Sequence, residues 1–336
     1  MRIKKIATSA LIFLIIVFVF GFSWFWHEYN LPKNCLSPTT AFEVEKGSSV
    51  SSIARKLKNE NIIKKKWPFL LAYKLFYSPQ NLIAGEYRFH CSVSAKQALK
   101  KIINGEIILH PVTIPEGLTL KETADLLSQK YSMNKQKLIH QSQNTQLISS
   151  FDSEAEDLEG YLFPETYHLP KNTSEKEMIS IMVSQFKAAF NQKWKQRAQD
   201  IDMTIREVVT LASLIEEETS VSEEKSLVSS VFHNRLNLGM KLDCDPTIIY
   251  ALKKKEQYEG RLRNKDLQLN SPYNTYLYSG LPPSPISNPG KKSIRAALYP
   301  SKSSYLYFVS KNDGTHQFSS TFKEHQKAVI KYQINK

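Results

Sequence analysis

Cysteine is scarce in these 336 residues: Cys35, Cys91 and Cys244 are the only three, widely spaced and odd in number. That excludes a disulfide framework and any CxxC metal site, and at most one disulfide can close within the chain. Ser-His-Asp order and an HExxH zinc motif are both missing, so neither a serine-hydrolase triad nor a zincin helix can be read. Lys33 and Asn34 stand before Cys35 and do not suit a lipoprotein cleavage site. Acidic charge is also short, with 32 Asp and Glu against 45 Lys and Arg, a net charge of +13. Such a balance favours polyanionic surroundings: nucleic acid, anionic lipid or an acidic wall polymer. A solvated lysine-rich surface is the plainer alternative. With 41% hydrophobic and 23% charged residues the chain is not disordered, and its length allows two modest domains plus an anchor.

Charge is absent altogether from Ile6 to Trp26, a run of mostly Ile, Leu, Val and Phe preceded by Arg2, Lys4 and Lys5. As a helix this run crosses a hydrocarbon core of roughly 30 Å. It exceeds the roughly 7–15 residues of a cleavable signal core. Apolar residues also continue beyond the small pair Gly21 and Ser23, so a retained anchor is expected. Trp24, Trp26 and Tyr29 sit where an interfacial aromatic belt belongs. Early positive charges held inside place the rest of the chain outside the cytoplasm, which argues against nucleic acid as the partner.

Beyond the anchor, Asn30 to Thr40 reads as a short polar stalk with two prolines. Phe42-Glu-Val44 alternates like a strand, and Ser49 is placed to cap a helix with Val50, Ile53, Ala54 and Leu57 on one face. The pattern recurs loosely about 70 residues later. There Val112-Thr-Ile114 is the strand, Glu116-Gly117 the turn and Thr119 the cap of a helix carrying Leu120, Ala124 and Leu127. Between them lie a turn and strand at Ala84–Phe89 and a helix from Val93 to Ile103, closed near Asn104-Gly105. Met133 to Asp157, rich in Gln, Ser and Asn, reads as exposed helix and loop. Leu158 to Tyr167 gathers three aromatic residues around a glycine and a proline, suited either to sugar-ring stacking or to a core strand and turn.

The most informative stretch is Ile205 to Ser220. Val208, Leu211, Leu214 and Ile215 form an apolar stripe, followed by Glu216, Glu217 and Glu218. At about 100° per residue, Glu218 falls in the middle of that stripe, Glu217 on its flank and Glu216 nearly opposite. A carboxyl on the core-facing side is desolvated, stays protonated near neutrality, and is equipped to act as a general acid. Glu216 and Glu217, if ionised, would push it the same way. Composition alone favours a solvated acidic face instead. His233, in the next amphipathic segment (Val228 to Leu238), reads as structural, and Cys244 reads either as buried and inert, the preferred reading, or as lying near a site. Downstream, Asp243-Cys-Asp245-Pro-Thr247, Ser271–Tyr276 and Gly280–Pro283 combine carboxylate, amide, hydroxyl and aromatic groups with rigid prolines, as a sugar cleft or ordinary turns would. Tyr305–Val309 looks like a buried strand, and Gly314–Phe318 follows a turn at Asn312-Asp313.

Taken together, Ala212–Thr219, Val231–Leu236, Asp245-Pro-Thr247, Tyr273–Tyr276, Gly280–Pro283 and Tyr305–Val309 resemble the endolytic murein transglycosylase family (MltG, YceG-like). Leu158–Tyr167 and Ala84–Phe89 agree, so the resemblance covers nearly the whole chain. It implies an α+β architecture: a cytoplasmic tail (1–5), a transmembrane helix (6–26), a small LysM-like module (40–110) and a catalytic domain (111–336). It also implies a single-pass protein of the bacterial inner (cytoplasmic) membrane with its catalytic part outside. Motif alignment makes the last of the three glutamates, Glu218, the catalytic one. Glu217 stands where such proteins often carry Lys, and Glu165 where Asp is usual.

The activity implied is cleavage of the β-1,4 bond between N-acetylmuramic acid and N-acetylglucosamine, leaving 1,6-anhydro ends and terminating nascent strands. Asp245 is the candidate for positioning the glycan, and Asn274 and Tyr276 for supporting the developing positive charge. No cofactor, metal or nucleic acid is expected; the partners implied are peptidoglycan strands and peptidoglycan synthases. Two alternatives remain: a membrane-anchored scaffold that binds peptidoglycan without cutting it, and a hydrolytic muramidase using Asp243 or Asp245 as second carboxylate.

Overall fold

The computed structural model describes residues 2–33, 39–90 and 93–334. Cys35 and Cys91 lie outside the described residues, and so does the question of their pairing. The fold is mixed helix and strand, in two compact units: Met1–Pro111 with His168–Thr173, and Val112–Tyr167 with Ser174–Lys336.

In the first unit, α1 (Arg2–Asn30) is one unbroken helix whose Lys5–Asn30 portion has a mean hydropathy of 2.6, long and apolar enough to cross a membrane. From Ile6 to Phe20 its large apolar side chains are exposed, whereas Phe25 and Tyr29 are buried in the core of the unit. The end of the helix is therefore built into the domain that follows. This changes the stalk expected over Asn30–Thr40. The Leu31 N–H still donates to His27 O, and Lys33 pairs with Val93, while residues 34–38 lie outside the described residues.

The unit continues as β1 (Thr39–Val44), α2 (Val50–Asn59), α3 (Lys66–Ala72), a π-helical turn (Tyr73–Tyr77), β2 (Gly85–His90) and α4 (Ala95–Asn104). β1 and β2 pair antiparallel, with Phe42 opposite Tyr87, and their inner side chains meet Ile53, Leu57, Phe69 and Leu99. Ser49 caps α2 as the sequence indicates, its hydroxyl accepting from Ser52 N–H. α4 starts two residues later than its pattern suggested, because Ser94 and Gln97 form a capping box there.

The second unit is mainly helical. β3 (His110–Thr113) and β4 (Thr166–Leu169) pair with each other where the chain passes between units. Around them come α5 (Leu120–Tyr131), α6 (Lys135–Gln141), α7 (Glu175–Ala189), α8 (Gln192–Asp200), α9 (Ile205–Glu218), α10 (Lys225–Asn237), α11 (Asp245–Lys254) and α12 (Lys291–Leu298). A hairpin of β5 (Tyr307–Ser310) and β6 (His316–Ser319), then α13 (Phe322–Val329), close the fold. β5 is half-buried along its length, unlike the buried strand its composition suggested. α9 is the central element: every residue from Val208 to Ile215 is buried, with α8, α10, α11 and α12 packed around it. The single-stripe reading thus understates its burial.

Two further expectations change. Residues 133–157 are not simply exposed, since Leu138, Ile148 and Asp152 are buried, the last accepting from Tyr161 Oη and Arg206. Tyr161, Phe163 and Tyr167 are core residues and present no face for a sugar. Gly160 (φ +86) explains the tight turn among them, since a Cβ there would lie 2.5 Å from Pro285. Asn288, fully buried, ties that turn to the rest: its Oδ1 accepts from Gly160 N–H and Leu162 N–H (both 3.0 Å), and its Nδ2 donates to Leu118 O. Asn288→Ala strands two buried N–H donors and is expected to cost about 3 kcal/mol. Urea unfolding should show the midpoint falling with an unchanged m-value.

Candidate active site

α9 begins at Thr204, which forms a capping box with Glu207, and stops at Glu218 because Thr219 turns extended (φ −148°, ψ 131°). Its last turn is held by Glu216. That side chain is 7% exposed and meets Lys225 Nζ, itself 3% exposed, at 2.6 Å. Lys225 also donates to Ser293 Oγ, and Glu216 accepts the Gly290 N–H at the start of α12. The carboxylate therefore satisfies both a buried cation and a helix N-terminus. Glu216 was expected to add negative charge to Glu218; instead its charge is neutralised within its own pair.

Two residues on, Glu218 is half-buried. Desolvation pushes its carboxyl up to about 7; the Cys244 thiol hydrogen bond opposes this, the charges of Asp245 and Glu217 add to it, and Arg235 opposes it. Glu217 lies at the exposed rim, its Oε1 placed 3.0 Å from where a Cβ on Gly117 would sit. Its carboxyl is likewise raised, chiefly by desolvation, with Ser287 and Lys253 opposing. The three adjacent glutamates thus occupy three different environments.

The turn before α11 supplies the neighbours. Cys244 is buried, and its thiol hydrogen-bonds Glu218 and is itself raised by desolvation and by that carboxylate. Cys244 is thus both buried and beside the site, so the two readings of it, buried or near a site, hold together, while the preferred inert role does not fit its contact with Glu218. The backbone there is fixed by Cys244 N–H donating to Thr275 Oγ1 and by Asp243 N–H donating to Thr275 O. Asp243, at φ 48°, meets Arg235 at 2.9 Å, and Arg235 also donates to Lys241 O, Leu242 O and Leu306 O. Sequence reading missed Arg235 as a brace of this turn, although it lies inside the Val231–Leu236 motif.

Among the residues expected to bind substrate, Asp245 is exposed at the first position of α11 and accepts from Tyr276 Oη at 2.6 Å. Asn274 differs. It is fully buried, its Nδ2 donating to Leu267 O and Leu269 O while its Oδ1 accepts Tyr276 N–H. Its hydrogen-bonding groups are engaged inside the loop, so its influence is exerted through the placement of Tyr276. His233 binds Ala297 O, and burial lowers its pKa, in keeping with a structural histidine. Among the described residues no group of three His, Cys, Asp or Glu side chains is arranged to hold a metal ion.

A cavity of about 640 Å³ lies between α5 and α11, lined by Thr119, Glu122, Glu159, Tyr250 and Lys253 among others. It is not centred on Glu218, but Lys253 and Glu122 both act on the Glu217 carboxyl. Glu159 is buried there, accepting Leu120 N–H and Tyr250 Oη, and burial pushes its carboxyl up to about 8. Nothing in the run Leu158–Tyr167 distinguishes it beforehand as a buried acid.

The raised pKa of Glu218 has a stability consequence. Below about 4.5 the folded and unfolded states both hold the proton; between 4.5 and 7 only the folded state does, so stability falls as pH rises and levels off above 7. Glu218→Gln removes this cost, and should stabilise the protein by about 1–2 kcal/mol at pH 8 and by little at pH 4. Thermal unfolding of both proteins at the two pH values checks it; an equal effect at both would contradict the desolvated-carboxyl description.

The chain matches the model of the YceG-like family over residues 42–331. It is 34% identical to the endolytic murein transglycosylase of Bacillus subtilis (strain 168), across 88% of this chain and 85% of that protein. It is 28% identical to the protein of the same name from Streptococcus pneumoniae serotype 2, across 98% of this chain and 66% of the other. Among solved structures, that of a yceG-like protein from Listeria monocytogenes superposes with a TM-score of 0.59 at 32% identity, covering 86% of this chain and 98% of its own. By the extent of the family match and the identity to the Bacillus protein, the chain belongs to the YceG-like family.

Proposed function

We propose that this chain is an endolytic murein lytic transglycosylase with Glu218 as its acid and base. The observation that carries this reading is the state of Glu218: a half-buried carboxyl at the end of a core helix, holding its proton near neutral pH. The names of the curated relatives support the same substrate class.

Glu218 gives its proton to the glycosidic oxygen as the bond to muramyl C1 breaks, and N-acetylglucosamine leaves with a free 4-hydroxyl. The carboxylate then removes the proton from the muramyl C6 hydroxyl, whose oxygen closes on C1. The product is a 1,6-anhydro ring, Glu218 is protonated again, and no water is consumed. Because the nucleophile belongs to the substrate, proximity supplies much of the rate, and a second protein carboxylate is not required. Asp245, with the Tyr276 hydroxyl held on it, positions the sugar; Asn274 fixes the backbone of Tyr276. The cavity between α5 and α11, whose Glu122 and Lys253 act on the Glu217 carboxyl, offers room for further sugar units.

The finer parts of the reading follow from the same frame. The β1–α2–α3–β2 order with its antiparallel pair supports a LysM-like, peptidoglycan-gripping module. α1 supports a single-pass anchor in the cytoplasmic membrane with the catalytic unit outside, where nascent strands and their synthases are met.

Glu218→Gln should reduce release of anhydro-muramyl ends from isolated glycan strands by about 10²–10⁴-fold, read by mass spectrometry, while strand binding persists. Undiminished cleavage would remove Glu218 from its role. Because the acid must be protonated, cleavage should decline above about pH 7. Cys244→Ala deletes the thiol hydrogen bond that favours the ionised form, so its alkaline limb should move to higher pH. An unmoved limb would show that the thiol does not tune the acid.

A further inference from the structure

We propose that the membrane-proximal unit sits directly on an anionic lipid surface, with α3 and its π-helical turn lying in the interfacial layer beside the anchor. The inference rests on α1 being a membrane anchor, and the geometry of the first unit carries it further. With Ile6–Trp26 crossing the hydrocarbon core, Trp24 and Phe25 mark the level of the outer interface. Side chains packed on them share that depth. The Trp67 ring lies 5.1 Å from Trp24 and 6.0 Å from Phe25, and the Phe76 ring lies 6.4 Å from Phe25.

At that depth the unit exposes apolar groups that ordinary solvent contact does not explain. Leu71 is on the outer face of α3, and Leu75 and Phe76 of the adjoining turn are 58% and 50% exposed. Leu71 and Leu75 are one turn apart and share a face. Lysines surround them in the manner of an interfacial belt. Lys65 Nζ lies 5.9 Å from the Trp24 ring and 2.8 Å from Glu28, Lys96 Nζ lies 5.2 Å from the Trp26 ring, and Lys64, Lys66 and Lys74 are exposed.

The distribution of charge points the same way. Between Leu31 and Pro111 there are 13 Lys and Arg against 5 Asp and Glu, whereas from Val112 to Lys336 the numbers are 29 and 26. The basic excess of the outward part of the chain is therefore concentrated in the unit that adjoins the bilayer, where anionic headgroups attract it. Apolar side chains flanked by lysines at interfacial depth match a lipid surface better than they match a polar glycan. Such seating makes the anchor a two-point attachment.

The test places the full-length protein in nanodiscs carrying a lipid with a photoreactive acyl chain, with and without phosphatidylglycerol, and maps crosslinks by mass spectrometry. Crosslinks are expected in α1 and also at Leu71, Leu75 and Phe76, more abundant with phosphatidylglycerol. Leu75→Gln combined with Phe76→Gln should lower the second set at least about fivefold and leave the α1 set unchanged. Lys64→Glu with Lys66→Glu and Lys74→Glu, all on the surface, should abolish the dependence on phosphatidylglycerol. Labelled α1 with an unlabelled α3 segment overturns the proposal, as do crosslinks from that segment to a second copy of the chain. An unlabelled α1 overturns the anchor reading and this inference together, and equal labelling in both bilayers overturns its electrostatic part.

Discussion

The buried pair of Glu216 and Lys225 is the constraint from which the geometry of the site follows. Both charges are almost wholly removed from water, a state that persists only because their partners are complete: Ser293 on the lysine, and the Gly290 N–H on the carboxylate. Desolvation offsets most of the attraction in such a pair, so its value lies less in net stability than in direction. It joins the end of α9 to the starts of α10 and α12. It thereby determines where the next two residues point.

That arrangement places three adjacent glutamates in three different surroundings. Glu216 is compensated by a cation, Glu217 lies at the rim, and Glu218 is desolvated beside a thiol with Asp245 close by. One extended solvated cluster would give three similar acids. Desolvation raises both Glu217 and Glu218 toward neutral pH, but only Glu218 also lies against the Cys244 thiol at the end of the core helix, with Asp245 close by, where a proton can be given and taken back within a single turnover. Cys244 and Arg235 restrain the shift so that the acid can still ionise. A carboxyl raised much further would be a stronger base but a weaker acid, and so a poorer donor to the glycosidic oxygen.

Much of this was legible where local chemistry dominates. Ser49 and Thr119 act as caps as their positions suggest, and the helical phase of Ile205–Ser220 put Glu218 among the apolar positions. The long-range features were not. Lys225 lies nine residues beyond Glu216, ahead of the amphipathic segment Val228–Leu238, and nothing in its local pattern marks it as a buried partner, so the burial of Glu216 could not be anticipated. The Cys244 thiol meets Glu218 only through the folding of α11 against α9, and the commitment of Asn274 depends on carbonyls of its own loop. Tyr161 and its neighbours were equally compatible with sugar stacking; Phe186 and the turn at Gly160 decide for the core. Nor does anything in residues 168–173 announce that they return to the first unit.

The central claim is that one carboxyl suffices because the substrate carries its own nucleophile. Digesting glycan strands in water enriched in ¹⁸O and weighing the new muramyl ends tests it most directly. The account predicts anhydro ends, lighter than reducing ends by one water and free of ¹⁸O. Reducing ends carrying one ¹⁸O would contradict it, and would mean that water attacks with help from a second group such as Asp245.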